Sequence, residues 1–360
     1  MTTRAIRATH HDRASTAKAA TGMLGAALAV VAMGLATAMG AQSAPRVHVL
    51  PATPRTVAYG YYWAQAAPVL RIASGDVIDV ETLLTNTPAR LEAAGIPPNE
   101  IEQSLRDIVA TVTDRGPGGH ILTGPVYVEG ADSGDVLEVK ILSITLPIAY
   151  GYNGCSGFMR ELCEPGVPST RIIRLDRERL LGHFAPDIQI ALKPFFGSMG
   201  VAPPIGMGRI SSNPPAQHAG NLDNKELTAG TTLYIPIHTK GALFQVGDGH
   251  AAQGDGEVDQ TAIETSLRGR LQLTVRKDMK LTWPLGETAT HWITMGADPD
   301  LTAATRIAIR EMVTLIMQRR GLSQMQAYQL ASIAADLRIT QLVDGNVGVH
   351  MMVTKTILGR

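Results

Sequence analysis

Glycine and proline interrupt this chain so often that an architecture of long helices is closed to it. Thirty-six Gly and 21 Pro are spread over 360 residues, and the first supplies positive φ while the second stops helices and removes a backbone donor. Short strands joined by many turns are what such a chain can form. Between residues 47 and 82 the apolar residues come in brief runs broken by Pro51, Pro54, Gly60, Pro68 and Gly75. Ser74-Gly-Asp-Val-Ile-Asp-Val80 recurs as Ser133-Gly-Asp-Val-Leu-Glu-Val139, in each case a turn leading into alternating apolar positions. A loop is expected from Gly116 to Pro125, strand at 126–128 and 136–146, an irregular excursion at 151–168, and strands at 233–237 and 242–246 within a Gly- and Pro-dense stretch at 193–256. Helical spacing is confined to three places. Ile101, Leu105, Ile108, Val109 and Val112 predict one amphipathic helix over 98–112. Residues 300–320 and 323–337 predict a helical hairpin with Gly321 as stop and Ser323 as N-cap, before 342–357 returns to strand. The expectation is a mainly β chain with an amphipathic helix and a C-terminal helical hairpin, α+β overall.

The first 44 residues read differently. Arg4, Arg7, Arg13 and Lys18 precede the uncharged stretch Met23 to Met39, and small residues at Ala38, Gly40, Ala41 and Ser43 follow. That order predicts a Sec-type signal peptide and short spacer over 1–44, with an exported, periplasmic or secreted product and no stable membrane association after cleavage. A retained anchor is the competing reading. The only cysteines, Cys155 and Cys163, lie eight residues apart. They fit either a disulfide closing a short loop or two free thiols, and their number excludes a four-cysteine zinc site.

Lys plus Arg and Asp plus Glu each number 32, which leaves no net field to gather nucleic acid or an acidic surface and suits a small neutral substrate. Candidate chemistry concentrates in Phe244-Gln-Val-Gly-Asp-Gly-His-Ala-Ala-Gln-Gly-Asp-Gly-Glu-Val258. Residues two apart on extended chain share a face, so Asp248 and His250 can present an oxygen and a nitrogen to one ion; a glycine-rich turn with incidental polar residues is the plainer alternative. Upstream, His218, Asn221 and Asp223 form a second cluster, readable as ligands and substrate contacts or as loop-pinning side chains. Asp114, Gly119 and His120 offer a carboxylate and a glycine-rich amide nest for a developing oxyanion, or only a turn. His291, Trp292 and Thr294-Met-Gly296 read as a pocket wall or a strand end. Nucleophile-elbow, phosphate-loop, HExxH and dinucleotide motifs are absent from the sequence, and no base stands near either cysteine in sequence.

Taken in order, Gly124-Pro-Val-Tyr-Val-Glu-Gly-Ala131, Gly134-Asp-Val-Leu-Glu-Val139, Gly220-Asn-Leu-Asp223, Gly241-Ala-Leu-Phe244, Gly247-Asp-Gly-His-Ala-Ala-Gln-Gly-Asp-Gly-Glu257 and His291-Trp-Ile-Thr-Met-Gly296 resemble the acetamidase/formamidase family, over roughly Tyr59 to Lys355. The resemblance implies packed sandwich- and barrel-like sheets, hydrolysis of small linear amides to ammonia and a carboxylate, and a homo-oligomer. It makes residues 45–360 the catalytic region, divisible into two subdomains near 190. It also implies that Asn221 to Asp223 and Asp248 to Glu257 line the active site. On chemical grounds a divalent metal, with zinc the expected ion, is assigned to Asp223, Asp248, His250 and His218. Glu257 is the expected base, with Asp114 and Glu264 as alternatives, and Asn221, Gly119, His120 and Gln253 are expected to contact substrate or oxyanion. A non-catalytic binder of a small ligand or metal, and a hydrolase of lactams or carbamates, are the rival functions.

Overall fold

The computed structural model describes residues 44–359; the predicted signal segment lies outside the described residues. In chain order the strands are β1 (Val47–Leu50), β2 (Val57–Tyr59), β3 (Tyr61–Trp63), β4 (Leu70–Ile72) and β5 (Val77–Thr82), followed by helices α1 (Pro88–Ala93) and α2 (Gln103–Thr111). Next come β6 (Ile121–Val128), β7 (Val136–Thr145), β8 (Tyr150–Asn153), β9 (Arg171–Asp176), β10 (Leu181–Ala185), β11 (Ile188–Ala191) and β12 (Phe195–Gly200). The chain continues with β13 (Arg209–Ser211), β14 (Ala219–Asn221), β15 (Thr232–Pro236), β16 (Phe244–His250), β17 (Leu267–Arg276), β18 (Leu285–Glu287) and β19 (His291–Asp298). It closes with α3 (Leu301–Arg320), α4 (Gln324–Ala334), β20 (Ala335–Gln341), β21 (Val347–Thr354) and α5 (Lys355–Leu358).

A nine-stranded sheet in the order β1-β5-β17-β7-β15-β18-β19-β21-β20 faces a six-stranded one built on β14-β12-β16-β6-β2 with β4 beside β6. Alternation decides which face each side chain serves. Leu137, Val139, Leu233, Ile235, Leu271 and Leu273 point from the large sheet into a shared core with Val126, Phe196, Met199, Phe244 and Val246 of the smaller one. Val136, Tyr234, Leu285, Trp292, Met351 and Val353 of the same large sheet point the other way, under Met312, Ile316 and Ala327 of α3 and α4. Each such large side chain stabilises the fold by roughly 1.5–3 kcal/mol when fully buried, so the mainly β sandwich with a C-terminal helical layer follows from the two-residue period.

The recurring Ser-Gly-Asp turns lead into β5 and β7, which flank β17 on its two sides. α3 starts at an Asp300 N-cap and stops at Gly321 in the left-handed region, and α4 opens with a Ser323–Gln326 capping box. Three expectations are corrected. The segment expected as a loop up to Pro125 is strand from Ile121, because β6 lies between β16 and β2 and takes both as partners. The second hairpin helix ends at Ala334, where Ala335–Gln341 leaves the helix to pair with β21. The excursion at 151–168 begins as strand β8. Of the two readings open for the cysteines, the disulfide between Cys155 and Cys163 is the one present.

Candidate active site

The first half of the glycine-rich string, Phe244–His250, is a fully buried strand, while the second half, with Gly254 and Gly256, is loop. Gly247 and Gly249 are there for space: a Cβ at Gly249 would lie 2.4 Å from the Thr265 carbonyl oxygen, and one at Gly247 2.6 Å from that of Ile121. Between and after them, Asp248 and His250 come together at the end of β16, with Asp248 Oδ2 3.2 Å from His250 Nε2. Glu264, bridged through its backbone to Tyr152 of β8, brings Oε1 to 3.3 Å from the same nitrogen. Asp223, Glu257 and Asp344 complete the ring of acids. Asp223, Asp248, Glu257 and Asp344 all hold positive φ, at 49°, 56°, 41° and 64°, a conformation non-glycine residues keep only where the surroundings impose it, and one that clusters at functional sites.

Among the described residues, three-atom groups suited to a metal form twice, Asp223–His250–Glu257 and Asp248–His250–Glu264, with the ligating atoms of each within 4.8 Å of one another. The imidazole orientation is set from behind. The Gln253 amide donates to the Asp223 carbonyl oxygen at 2.8 Å, which turns its own oxygen to His250 Nδ1 at 2.9 Å. Nδ1 therefore carries a proton and Nε2 faces two carboxylates, an arrangement that requires either a second proton or a cation. Asp223 Oδ1 and Glu257 Oε2 are buried with no partner. Gly197 lies against the cluster, and a Cβ there would sit 2.5 Å from Asp223 Oδ1 and Asp248 Oδ2.

Five carboxylates and two histidines, His120 and His250, line a cavity of about 70 Å³ in which no lysine or arginine takes part. Burial pushes the Asp223, Glu257, Glu264 and Asp344 carboxyls up, and neighbouring carboxylates add to the push. Burial also opposes the Asp248 charge, but the His250 and His120 rings outweigh it and hold that carboxyl below its usual range. His250 runs the other way: burial disfavours its cation, and Glu264 and Asp248 override this and raise it well above the ordinary imidazole value. One carboxyl is held below its usual range while its neighbours are pushed above theirs, the divergence expected of an acid–base site.

Of the residues singled out in the sequence, the structure brings together Asp223, Asp248, His250, Glu257 and Glu264, with Asn221 donating to Asp223 and Asp344 and His120 Nε2 3.9 Å from Asp248. It does not bring Asp114, whose exposed carboxylate pairs with Arg209 at 2.7 Å. It does not bring His218 to the cavity; that ring packs edge-on against Tyr62, and burial lowers it to about 3. The Gly119 amide is already engaged, donating to Asn213 Oδ1 at 2.9 Å, so it is not a free oxyanion donor. Thr294-Met-Gly296 serves packing: Thr294 donates to the Ala308 carbonyl of α3, and a Cβ on Gly296 would meet the Ala304 carbonyl oxygen at 2.4 Å. Asp344, Tyr152, Gln260 and Thr261, all lining the cavity, carried no signal in the sequence beyond the Asp-Gly turn at Asp344.

The model of the acetamidase/formamidase family matches residues 76–213 and 207–358. A formamidase of Methylophilus methylotrophus is 27% identical over 213 residues, 44% of this chain and 51% of that one. An acetamidase of Mycolicibacterium smegmatis is 28% identical over 221 residues, 45% of this chain and 53% of that one. The chain thus spans about half the length of these curated relatives. The crystal structure of an acetamidase from Bacillus halodurans superposes with a TM-score of 0.73 at 28% identity, covering 87% of this chain and 100% of that one.

Proposed function

Because the chain belongs to the acetamidase/formamidase family, we propose that it hydrolyses small linear amides to a carboxylate and ammonia at the carboxylate–histidine cluster. The size of the cavity carries the substrate class: about 70 Å³ is far below the roughly 300–1,000 Å³ of sites for larger organic ligands. A neutral amide also enters an acid-lined site without the repulsion a carboxylate would meet.

The residues present fit a divalent ion. His250 Nε2 faces Asp248 and Glu264 at 3.2 and 3.3 Å, two cluster oxygens have no partner, and the lining contributes no cationic side chain other than histidine. Uncompensated buried carboxylates are costly, and a cation removes that cost. Asp248, His250 and Glu264 are the ligand set. Asp223 and Glu257, whose oxygens are the orphaned ones, are left for proton transfer. This departs from the sequence expectation by exchanging Asp223 for Glu264 and dropping His218, which packs against Tyr62: Asp248 and Glu264 face His250 Nε2, whereas Asp223 lies on the side of Nδ1, at 3.9 Å. When bound, such an ion would supply Lewis-acid polarisation of the carbonyl and lower the pKa of water to about 7. Glu257 accepts the proton of the attacking water and returns it to nitrogen as the C–N bond breaks, and Asp223 beside it shares that proton. His120, on the Asp248 side, orients the amide oxygen.

The Cys155–Cys163 bridge supports an oxidising compartment, in line with an exported enzyme. Exposed Met325, Tyr328 and Ile333 of α4 beside Leu337 and Ile339 of the edge strand β20 support self-association. The test is ammonia release from formamide, acetamide, longer amides and a lactam by the purified protein; release from the short linear amides is expected, and release from none of them overturns the proposal.

A further inference from the structure

Two of the site's carboxylates, Glu257 and Glu264, bound a segment with little regular structure of its own. Glu257 and Gln260 within it hold positive φ, and Gln260 and Thr261 reach the cavity. Its own turn contributes one backbone bond, from Gln260 N to the Glu257 carbonyl oxygen. Within it Asp259 Oδ1 accepts from the Thr261 amide and hydroxyl and Glu264 Oε1 from the Ala262 amide, and the rest of its middle is held from outside by the end of β8 and the loop that the disulfide closes. Asn153 Nδ2 donates to the Asp259 carboxylate at 3.1 Å and to Thr261 Oγ1 at 2.9 Å. The Gly154 amide donates to Thr261 Oγ1 at 2.7 Å, and Ser156 Oγ to the Asp259 carbonyl oxygen at 3.1 Å. The Phe158 amide donates to the Val258 carbonyl oxygen at 2.9 Å. Gly157 lies so close that a Cβ would come within 2.6 Å of the Asp259 backbone and 2.7 Å of the Gln260 nitrogen.

Cys155 stands between Gly154 and Ser156, inside this row of contacts, and its bond to Cys163 spans the exposed residues Phe158, Met159 and Leu162. Those side chains bury too little surface to hold the loop down by packing. We infer that Asn153 and the Cys155–Cys163 loop are the positioning element of the active site, clamping residues 258–262 so that Glu257 is presented to the substrate. Opening the bridge or removing the Asn153 donor frees the clamp without touching the β16 residues. Because Glu257 must meet a water proton at hydrogen-bond distance, displacement on the scale of an ångström lowers turnover strongly.

The effect on turnover rests on the hydrolase reading; the effect on the segment's motion does not. The experiment is hydrogen–deuterium exchange together with steady-state kinetics on acetamide, for the full chain, Asn153→Ala, and the double variant Cys155→Ser/Cys163→Ser. Exchange in 258–262 is expected to rise by about tenfold while β16 and β17 stay protected, with kcat down by about tenfold and KM changed by less than about threefold. Leu162→Ala, on the exposed side of the loop, should match the parent. Asn153→Asp sets a carboxylate against Asp259, and adding Asp259→Asn should return much of the lost turnover, a rescue that general destabilisation would not give. Unchanged exchange in 258–262 in both variants overturns the inference, as does a rise spread equally over β16 and β17. If the parent releases no ammonia but exchange responds as stated, the clamp stands and the hydrolase reading fails.

Discussion

Asp76 and Asp135 enter β5 and β7 from the same Ser-Gly-Asp turn, and both are buried, as are Asp223 and Glu257 in the cavity. The two pairs are treated differently by their surroundings. Asp76 accepts from the Arg46 and Ala73 amides at 3.0 and 3.1 Å and meets His48 Nε2 at 2.8 Å. Asp135 accepts from the Asp132 amide at 3.1 Å and from Lys277 at 2.6 Å. Burial opposes both charges, and these donors outweigh it, holding both carboxyls below their usual range. Asp223 Oδ1 and Glu257 Oε2 meet no donor, and burial with like charge pushes both carboxyls well up. Within one fold, a carboxylate whose donors converge is part of the scaffold. One buried without them is poised for a proton or a cation.

The comparison is broken most severely at Glu257. Glu257→Gln keeps the shape and removes the basic oxygen, so turnover should fall by about a hundredfold or more while bound metal stays; His250→Ala should lose metal and turnover together. Elemental analysis beside ammonia release separates the two, and a Glu257→Gln protein with normal turnover would remove Glu257 from the mechanism.

Gly197→Ala places a methyl 2.5 Å from Asp223 and Asp248 oxygens without altering either acid. Zinc affinity should drop by about ten- to a hundredfold, the scale of a disturbed ligand shell, and the melting temperature of the stripped protein should change little. Isothermal titration checks the first and calorimetry the second; unaltered affinity would show that the space beside Gly197 is not where the ion sits.

Scaffold carboxylates should give the opposite phenotype. Asp135→Asn and Asp76→Asn are expected to cost about 1–2 kcal/mol of stability each, the worth of charge-assisted hydrogen bonds, with kcat and KM as in the parent. A loss of turnover at unchanged stability in either variant would erase the distinction between the two regions.

The smallest expected effect is on the pH profile of stability. His218 and His350 are held by burial at about 3 and about 4, below the unfolded value of about 6.5. Their contribution is therefore whole above about 6.5 and drains as pH falls toward those values. The raised carboxyls act with the reverse sign in the metal-free protein: ionised, they subtract stability near neutral pH, and protonation returns it as pH falls toward their unfolded range. A divalent ion cancels only this second contribution. The rise in melting temperature on adding zinc should consequently shrink from pH 7.5 to pH 5, and parallel curves with and without zinc would contradict the assignment.

Much of this was legible in the sequence, and the reasons are local. Alternating small and polar residues at 247–250 can only be strand if something packs tightly on both sides, and the polar residues then share a cavity. Gly321 and Ser323 announce the turn between α3 and α4 because caps are chemistry of single residues. Asp344 could not be read, since an Asp-Gly pair between two apolar runs describes any hairpin turn. Nor could the fate of Asp114, a carboxylate beside glycines that the fold turns outward to Arg209. The end of α4 was hidden for a similar reason: Ala334 and Ala335 carry no stop signal, and Ile339 and Thr340 become strand only because β21 lies alongside.

The central claim is that the orphaned carboxylates and His250 form a cation-dependent amide-hydrolysing site, and its most direct test is ammonia release from acetamide and formamide by protein dialysed against a chelator, before and after one equivalent of zinc. The account predicts a silent stripped protein whose turnover returns in proportion to bound metal. Full turnover from a preparation that elemental analysis shows to hold far less than one ion per chain would contradict it.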